Sequence, residues 1–94
     1  MTFRLLPQAE TDISEIATYI AYDSKTAALR WTDEIFRQCE RIANMPGLGV
    51  LRDDLRPGLR MMPSGNYVIL YRTASGLVDI VRVLDGRRKW QTLL

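Results

Sequence analysis

Residues 67–86 read Tyr-Val-Ile-Leu-Tyr-Arg-Thr-Ala-Ser-Gly-Leu-Val-Asp-Ile-Val-Arg-Val-Leu-Asp-Gly. Two runs rich in β-branched and aromatic residues, Tyr67–Thr73 and Leu77–Leu84, flank the small turn residues Ala74-Ser75-Gly76, and Asp85-Gly86 closes the second run. That pattern predicts a β-hairpin. Val68 and Leu70 alternate with Ile69 and Tyr71, and Val81 and Val83 alternate with Ile80 and Leu84. Both faces of the hairpin are therefore apolar. Either the sheet curls around its own core or something else covers its second face.

Upstream, Pro57-Gly58 marks a turn, Leu59–Met62 reads as a short strand ended by Pro63, and Ser64-Gly65-Asn66 connects it to the hairpin. The predicted unit is a three-stranded antiparallel meander. The first half changes period. Thr2–Leu6 suggests a strand, and Pro7 suits a first helical turn, where its missing N–H is not needed. Ile13, Ile16, Ala17 and Ile20 then repeat as one face of a helix over Gln8–Tyr22, with Glu10 and Asp12 near the positive end of its dipole. Asp23-Ser24 interrupts that helix and offers a cap for a second one. The second stripe is Ala28, Trp31, Ile35, Cys39 and Ile42, and Pro46-Gly47 stops it. So short a break between two helices implies an antiparallel helical hairpin. The predicted class is α+β, ordered β-α-α-β-β-β, with Arg87–Leu94 as a tail that forms a helical turn or an added edge.

The chain has 94 residues and 47% hydrophobic content, enough for one domain with one small core. Its net charge of +2 conceals a polarity. Residues 1–47 carry five basic against seven acidic side chains, whereas residues 48–94 carry eight basic against four acidic. Seven of those eight are arginine, the residue suited to bidentate pairing with carboxylate or phosphate. The single cysteine, Cys39, excludes an intramolecular disulfide framework and fits a reducing compartment. The opening residues lack the apolar core of a signal peptide, and the longest apolar run, Tyr67 to Tyr71, is far short of the ~20 residues that span a bilayer. A cytoplasmic protein without membrane association is expected.

The element order resembles the RelE/ParE superfamily of type II toxin–antitoxin toxins. So do the segments Arg52-Asp53-Asp54-Leu55-Arg56-Pro57-Gly58-Leu59-Arg60, Tyr67–Arg72 and Asp79–Arg88. Ala9, Asp12, Ile13, Ile16 and Tyr19-Ile20 are similar to that superfamily's opening helix, and Pro46-Gly47-Leu48-Gly49 to its helix-to-sheet junction. Within it, the chain resembles the ParE branch. The resemblance implies a toxin made with a cognate, ParD-like antitoxin in a hetero-oligomer. It also implies DNA gyrase as the target, with no cofactor or metal and no direct sequence-specific DNA contact by the toxin.

The alternative within the superfamily is a ribosome-dependent endoribonuclease of the RelE type, with Arg72, Arg82 and Arg87 on the scissile phosphate. Such chemistry needs an acid and a base. The chain has no histidine; Asp85 stands where many relatives carry one, and the tail offers Trp90 in place of a tyrosine. Asp85 beside Arg87 and Arg88 suits ion pairing better than proton transfer, so no catalytic residue is assigned. Asp53-Asp54 beside Arg52 and Arg56 reads as caps or salt-bridge partners in preference to a metal pair. Tyr22, Trp31, Arg56, Arg60, Met61 and Met62 are the expected antitoxin-binding residues. Arg82, Arg87, Arg88 and Trp90 are the expected target-binding residues, because arginine and tryptophan are enriched at binding hot spots. For Trp90 the competing expectation is a plug for the open end of the sheet. A third possibility is a silenced relative that only binds an antitoxin.

Overall fold

The computed structural model describes residues 2–94. Strand β1 (Thr2–Leu5) leads into helix α1 (Pro7–Ala21) and helix α2 (Lys25–Asn44). A 3-10 turn (Pro46–Leu48) follows, then strands β2 (Val50–Leu51), β3 (Arg60–Ser64), β4 (Tyr67–Ala74) and β5 (Leu77–Asp85), and a final 3-10 turn (Trp90–Leu93). The tail thus forms a helical turn, not an added edge. The helices join where expected: Ser24 is the N-cap of α2 and its hydroxyl accepts the Ala27 N–H at 3.1 Å. Ser75 (φ 50°) and Gly76 (φ 77°) make the tight connection between β4 and β5, with positive φ at both turn residues.

The sheet has five strands in the order β1-β5-β4-β3-β2. The predicted meander is β3-β4-β5, and the sheet extends it on both sides. β1 pairs parallel with β5, Leu5 opposite Ile80, and β2 pairs antiparallel with β3, Val50 opposite Met61. β2 is two residues long, too short for an alternation to announce it. Pro63 does not end β3 but sits within it, opposite Val68. β2 pairs only with Arg60 and Met61, so at Pro63 strand β3 is the sheet's edge, where a missing N–H costs no ladder bond.

Two cores lie on opposite faces of the sheet. On one, Ala9, Ile13, Ile35, Cys39 and Ile42 of the helices bury Ile69, Tyr71, Val78, Ile80 and Val83. On the other, Val68, Leu70, Val81 and Leu84 are covered by the chain itself, through Leu6, Leu55, Leu59, Trp90 and Leu94. The covering loop is compact. Arg52 N–H donates to the Leu59 carbonyl at 2.7 Å, and the Gly58 N–H to Asp53 Oδ1 at 2.8 Å. Asp53 thus acts as a cap, and Asp54 accepts both the Nε and an Nη of Arg52 at 2.9 Å. The question left open by two apolar faces is answered within the chain. The loop and the tail are the second lid.

Candidate functional site

β1 is shorter than the strand it pairs with. Its ladder ends at Leu5, the Leu6 N–H still reaches the Ile80 carbonyl at 3.0 Å, and residues 81–85 of β5 then continue without a neighbouring strand on that side. A bulge falls at this point: Leu70 opposes Arg82 and Tyr71 opposes Ile80, so Val81 is the extra residue. Bulges bend a strand and re-aim its side chains. Here the re-aimed residue is Arg82.

Asp12, buried on α1, fills the gap. It accepts the Val83 backbone N–H at 3.0 Å and holds Arg82 through two bonds, Nε to Oδ2 at 2.7 Å and Nη2 to Oδ1 at 2.9 Å. Arg82 Nη1 donates in turn to the Leu93 carbonyl at 2.9 Å. One guanidinium therefore ties α1, β5 and the tail together. Its three bonds use all three nitrogens, so Arg82, expected among the target-binding residues, serves here as a strut.

Above this strut lies an open cleft of about 350 Å³ between α1 and the end of β5, reaching Tyr19, Tyr67, Asp85, Arg87 and Arg88. Asp85 accepts the backbone N–H of Arg87 at 2.9 Å and its Nε and Nη2 at 3.0 Å, with Arg88 Nε at 3.9 Å. The hydrogen bonds from Arg87, with both positive charges, hold the Asp85 carboxyl below its ordinary range. The pairing expected for Asp85 is thus present. Arg88, with its side chain 80% exposed, is the guanidinium of this cleft left most open to solvent.

Trp90 lies elsewhere. It is 5% exposed and packs into the second core, with the Arg52 guanidinium 5.6 Å from its ring centroid. A 3-10 turn folds the tail back over the sheet, which places Trp90, expected to bind the target, where the competing expectation of a plug puts it. Arg82, Arg87 and Arg88 share one cleft; Trp90 is not part of it.

The six residues expected to bind an antitoxin are scattered. Tyr22, at the C-cap of α1, is 86% exposed and stands near exposed Tyr19. Trp31 is half-buried and packs edge-on against Tyr67 at 5.2 Å. Met61 packs on the lid-side core and Met62 on the helix-side core, as neighbours in a strand must. Arg56 is exposed in the covering loop, while Arg60 Nη1 donates to the Gly49 carbonyl at 2.7 Å. These positions do not converge on one patch. Cys39 is fully buried, and burial pushes its thiol up to about 12, which makes it inert.

Sequence reasoning missed Asp12 and Asp79 as organising residues. Asp12 shares a helical face with buried Ala9 and half-buried Ile16, and Asp79 lies between the buried Val78 and Ile80. An acid within an apolar pattern was the available signal.

With this geometry in view, residues 3–90 match the sequence model of a family described as the ParE toxin of the type II toxin–antitoxin system parDE. The chain belongs to the ParE toxin family. It is 33% identical over 88 residues to Toxin ParE1 of Mycobacterium tuberculosis, covering 90% of this chain and 89% of that one. It is 35% identical over 83 residues to Toxin ParE1 of Caulobacter vibrioides, covering 87% and 85%. A solved structure titled as a chromosomal ParDE TA system from P. aeruginosa superposes with a TM-score of 0.76, over 90% of this chain and 95% of that one. Identity there is 19%, so this match supports the fold alone. The protein is a ParE-type toxin of a type II toxin–antitoxin system. No helix among the described residues is long and apolar enough to cross a membrane.

Proposed function

We propose that this ParE-family toxin acts by binding DNA gyrase, performs no chemistry of its own, and is held inactive in the cytoplasm by a cognate ParD-like antitoxin. The observation that carries this reading is the state of the cleft beside β5. Two of its three carboxylates are already engaged, Asp12 by Arg82 and Asp85 by Arg87 and Arg88, while exposed Glu15 is the third. A ribonuclease needs groups that exchange protons near neutral pH. Asp85 is held ionised by its arginines, and guanidinium is a poor base. The cleft is suited to recognition, with exposed Arg88 and Tyr19 at its rim.

For the antitoxin, the exposed aromatic pair Tyr19 and Tyr22 near the tip of the helical hairpin offers anchors, and exposed Arg56 offers a partner for acidic side chains. Operator reading is left to the antitoxin. The deciding experiment adds purified toxin to a gyrase supercoiling reaction. Inhibition or accumulation of linear DNA, reversed by antitoxin, is expected. Untouched supercoiling with ribosome-dependent cutting of messages would replace this reading by the RelE-type activity. Normal growth on expression without antitoxin would mark a silenced relative.

A further inference from the structure

The chain's arginines differ in what they have left to offer a ligand. Arg82 spends every nitrogen internally, and Arg52 and Arg87 each spend Nε and one Nη on a neighbouring aspartate. A different arrangement occurs at the opposite end of β5. Arg4 of β1 and Arg72 of β4 both stand in register with Asp79 of β5, so the three form one row across three adjacent strands. Residues directly opposite in adjacent strands project from the same face of a sheet. Asp79 is buried, with a side chain 3% exposed, while the side chains of Arg4 and Arg72 are 57% and 47% exposed. Arg4 Nε donates to Asp79 Oδ1 at 2.6 Å, and Arg72 Nε lies 3.8 Å from Asp79 Oδ2. Each guanidinium turns its Nε edge towards the carboxylate. Among the described residues, the terminal amino groups of both have no protein acceptor.

One guanidinium hydrogen-bonded to a buried carboxylate and a second at ion-pair distance from it, both with free terminal amino groups, place two oxyanion donors side by side. One carboxylate against two guanidiniums leaves the row at +1. We propose that the Arg4–Asp79–Arg72 row binds the phosphate backbone of duplex DNA without regard to sequence. The surroundings favour a nucleic-acid backbone over an acidic peptide. The next row on this face is Thr2, Leu77 and Ala74, ending at the exposed Ser75-Gly76 turn. It offers hydroxyls and small side chains, which suit phosphate approach. It carries no large apolar side chain beyond Leu77 and no pocket of the kind that anchors a peptide. Phosphate contact positions a protein on DNA without reading bases, so operator recognition stays with the antitoxin. The proposal is independent of gyrase, and its test contains none.

The test titrates a fluorescent duplex with the full-length toxin by anisotropy across a salt series. Each phosphate neutralised on duplex DNA contributes about 0.9 to the slope of log affinity against log salt. Arg72→Gln is expected to weaken binding about fivefold at low salt and to lower the slope by about one. Arg56→Gln removes the same charge from an exposed loop arginine and is expected to do markedly less. Both substitutions are at exposed residues, and circular dichroism checks that both variants fold. Equal effects of the two variants would overturn the site. So would an unbound duplex at low salt, or a polyglutamate peptide that competes as well as DNA at matched charge.

Discussion

Asp12 and Arg82, separated by 70 residues in the chain, form a two-pronged ion pair at the point where the open edge of β5 meets helix α1. The same carboxylate accepts the Val83 N–H, so it serves a charged partner and a strand edge together. Removing it leaves a largely buried guanidinium and a strand N–H without their acceptor. Breaking a buried pair from one side costs about 3–5 kcal/mol. Asp12→Ala is therefore expected to lower unfolding free energy by about 3 kcal/mol in urea titration. Asp12→Asn should cost less, because its amide oxygen can still accept one of the bonds. Equal losses for the two variants would show that the carboxylate's geometry does not matter.

Tyr71 and Gly49 make a second lock, between β4 and the junction that follows the helices. The Tyr71 hydroxyl accepts the Gly49 N–H at 2.7 Å and donates to the Pro46 carbonyl at 2.7 Å. A Cβ at position 49 would lie 2.7 Å from that hydroxyl and 2.9 Å from the Met61 carbonyl oxygen. Neither a ring held by two hydrogen bonds nor a β3 carbonyl can yield cheaply. Gly49→Ala should cost about 1–3 kcal/mol through overpacking. Tyr71→Phe should cost about as much, through buried groups left unpaired. Both substitutions disrupt the same Gly49–Tyr71 bond, so the double variant should lose less than the sum. Thermal melts of the four proteins in a double-mutant cycle measure this.

The helices and the central hairpin were legible because their signals are local. The Ile13–Ile20 spacing, the Ser24 cap and the Ser75-Gly76 turn each state their own conformation. β2 was not legible, since Val50-Leu51 becomes a strand only through its pairing with β3. The cover of the second face was also hidden. Leu55 stands among turn residues and Leu59 opens the predicted strand, so nothing local announces that they meet Leu70 and Val81; only Trp90 carried a competing expectation of plugging the sheet. For the site, the grouping of Arg82, Arg87 and Arg88 at one end of β5 was readable. Their partners divide by distance. Asp85 lies beside Arg87, whereas Asp12 reaches Arg82 across the fold.

The buried tail bears on two expectations for Trp90, a target contact and a plug for the open end of the sheet. Trp90 closes the second core beneath Arg52, so Trp90→Ala should cost about 3–5 kcal/mol. Truncation before residue 90 should unfold the domain and abolish toxicity and antitoxin binding together. Arg88→Ala should instead leave the melting temperature unchanged within error, since its guanidinium is exposed and only 3.9 Å from a shared carboxylate. Circular dichroism decides between them. A folded truncated protein would show that the tail is not part of the core.

Acid sensitivity should trace to the carboxylates that arginines stabilise. The hydrogen bond from Arg4, with the charges of Arg4 and Arg72, holds the Asp79 carboxyl below its ordinary value, and Arg87 does the same for Asp85. A carboxylate depressed in the folded state binds fewer protons there than in the unfolded chain. Its stabilising contribution is complete above the unfolded value, near pH ~4, and is lost as pH falls through the lower folded values. Unfolding free energy should therefore be flat in this respect at neutral pH and decline below pH ~4. Arg4→Gln removes the main cause of the depression and leaves Asp79 buried beside a single, more distant arginine. With the depression weakened or reversed, Asp79 contributes less stability at neutral pH, so the decline towards acid should be shallower than in the parent protein. Urea titrations between pH 3 and 7 give both curves, and an acid limb as steep in Arg4→Gln as in the parent would remove Asp79 from the account.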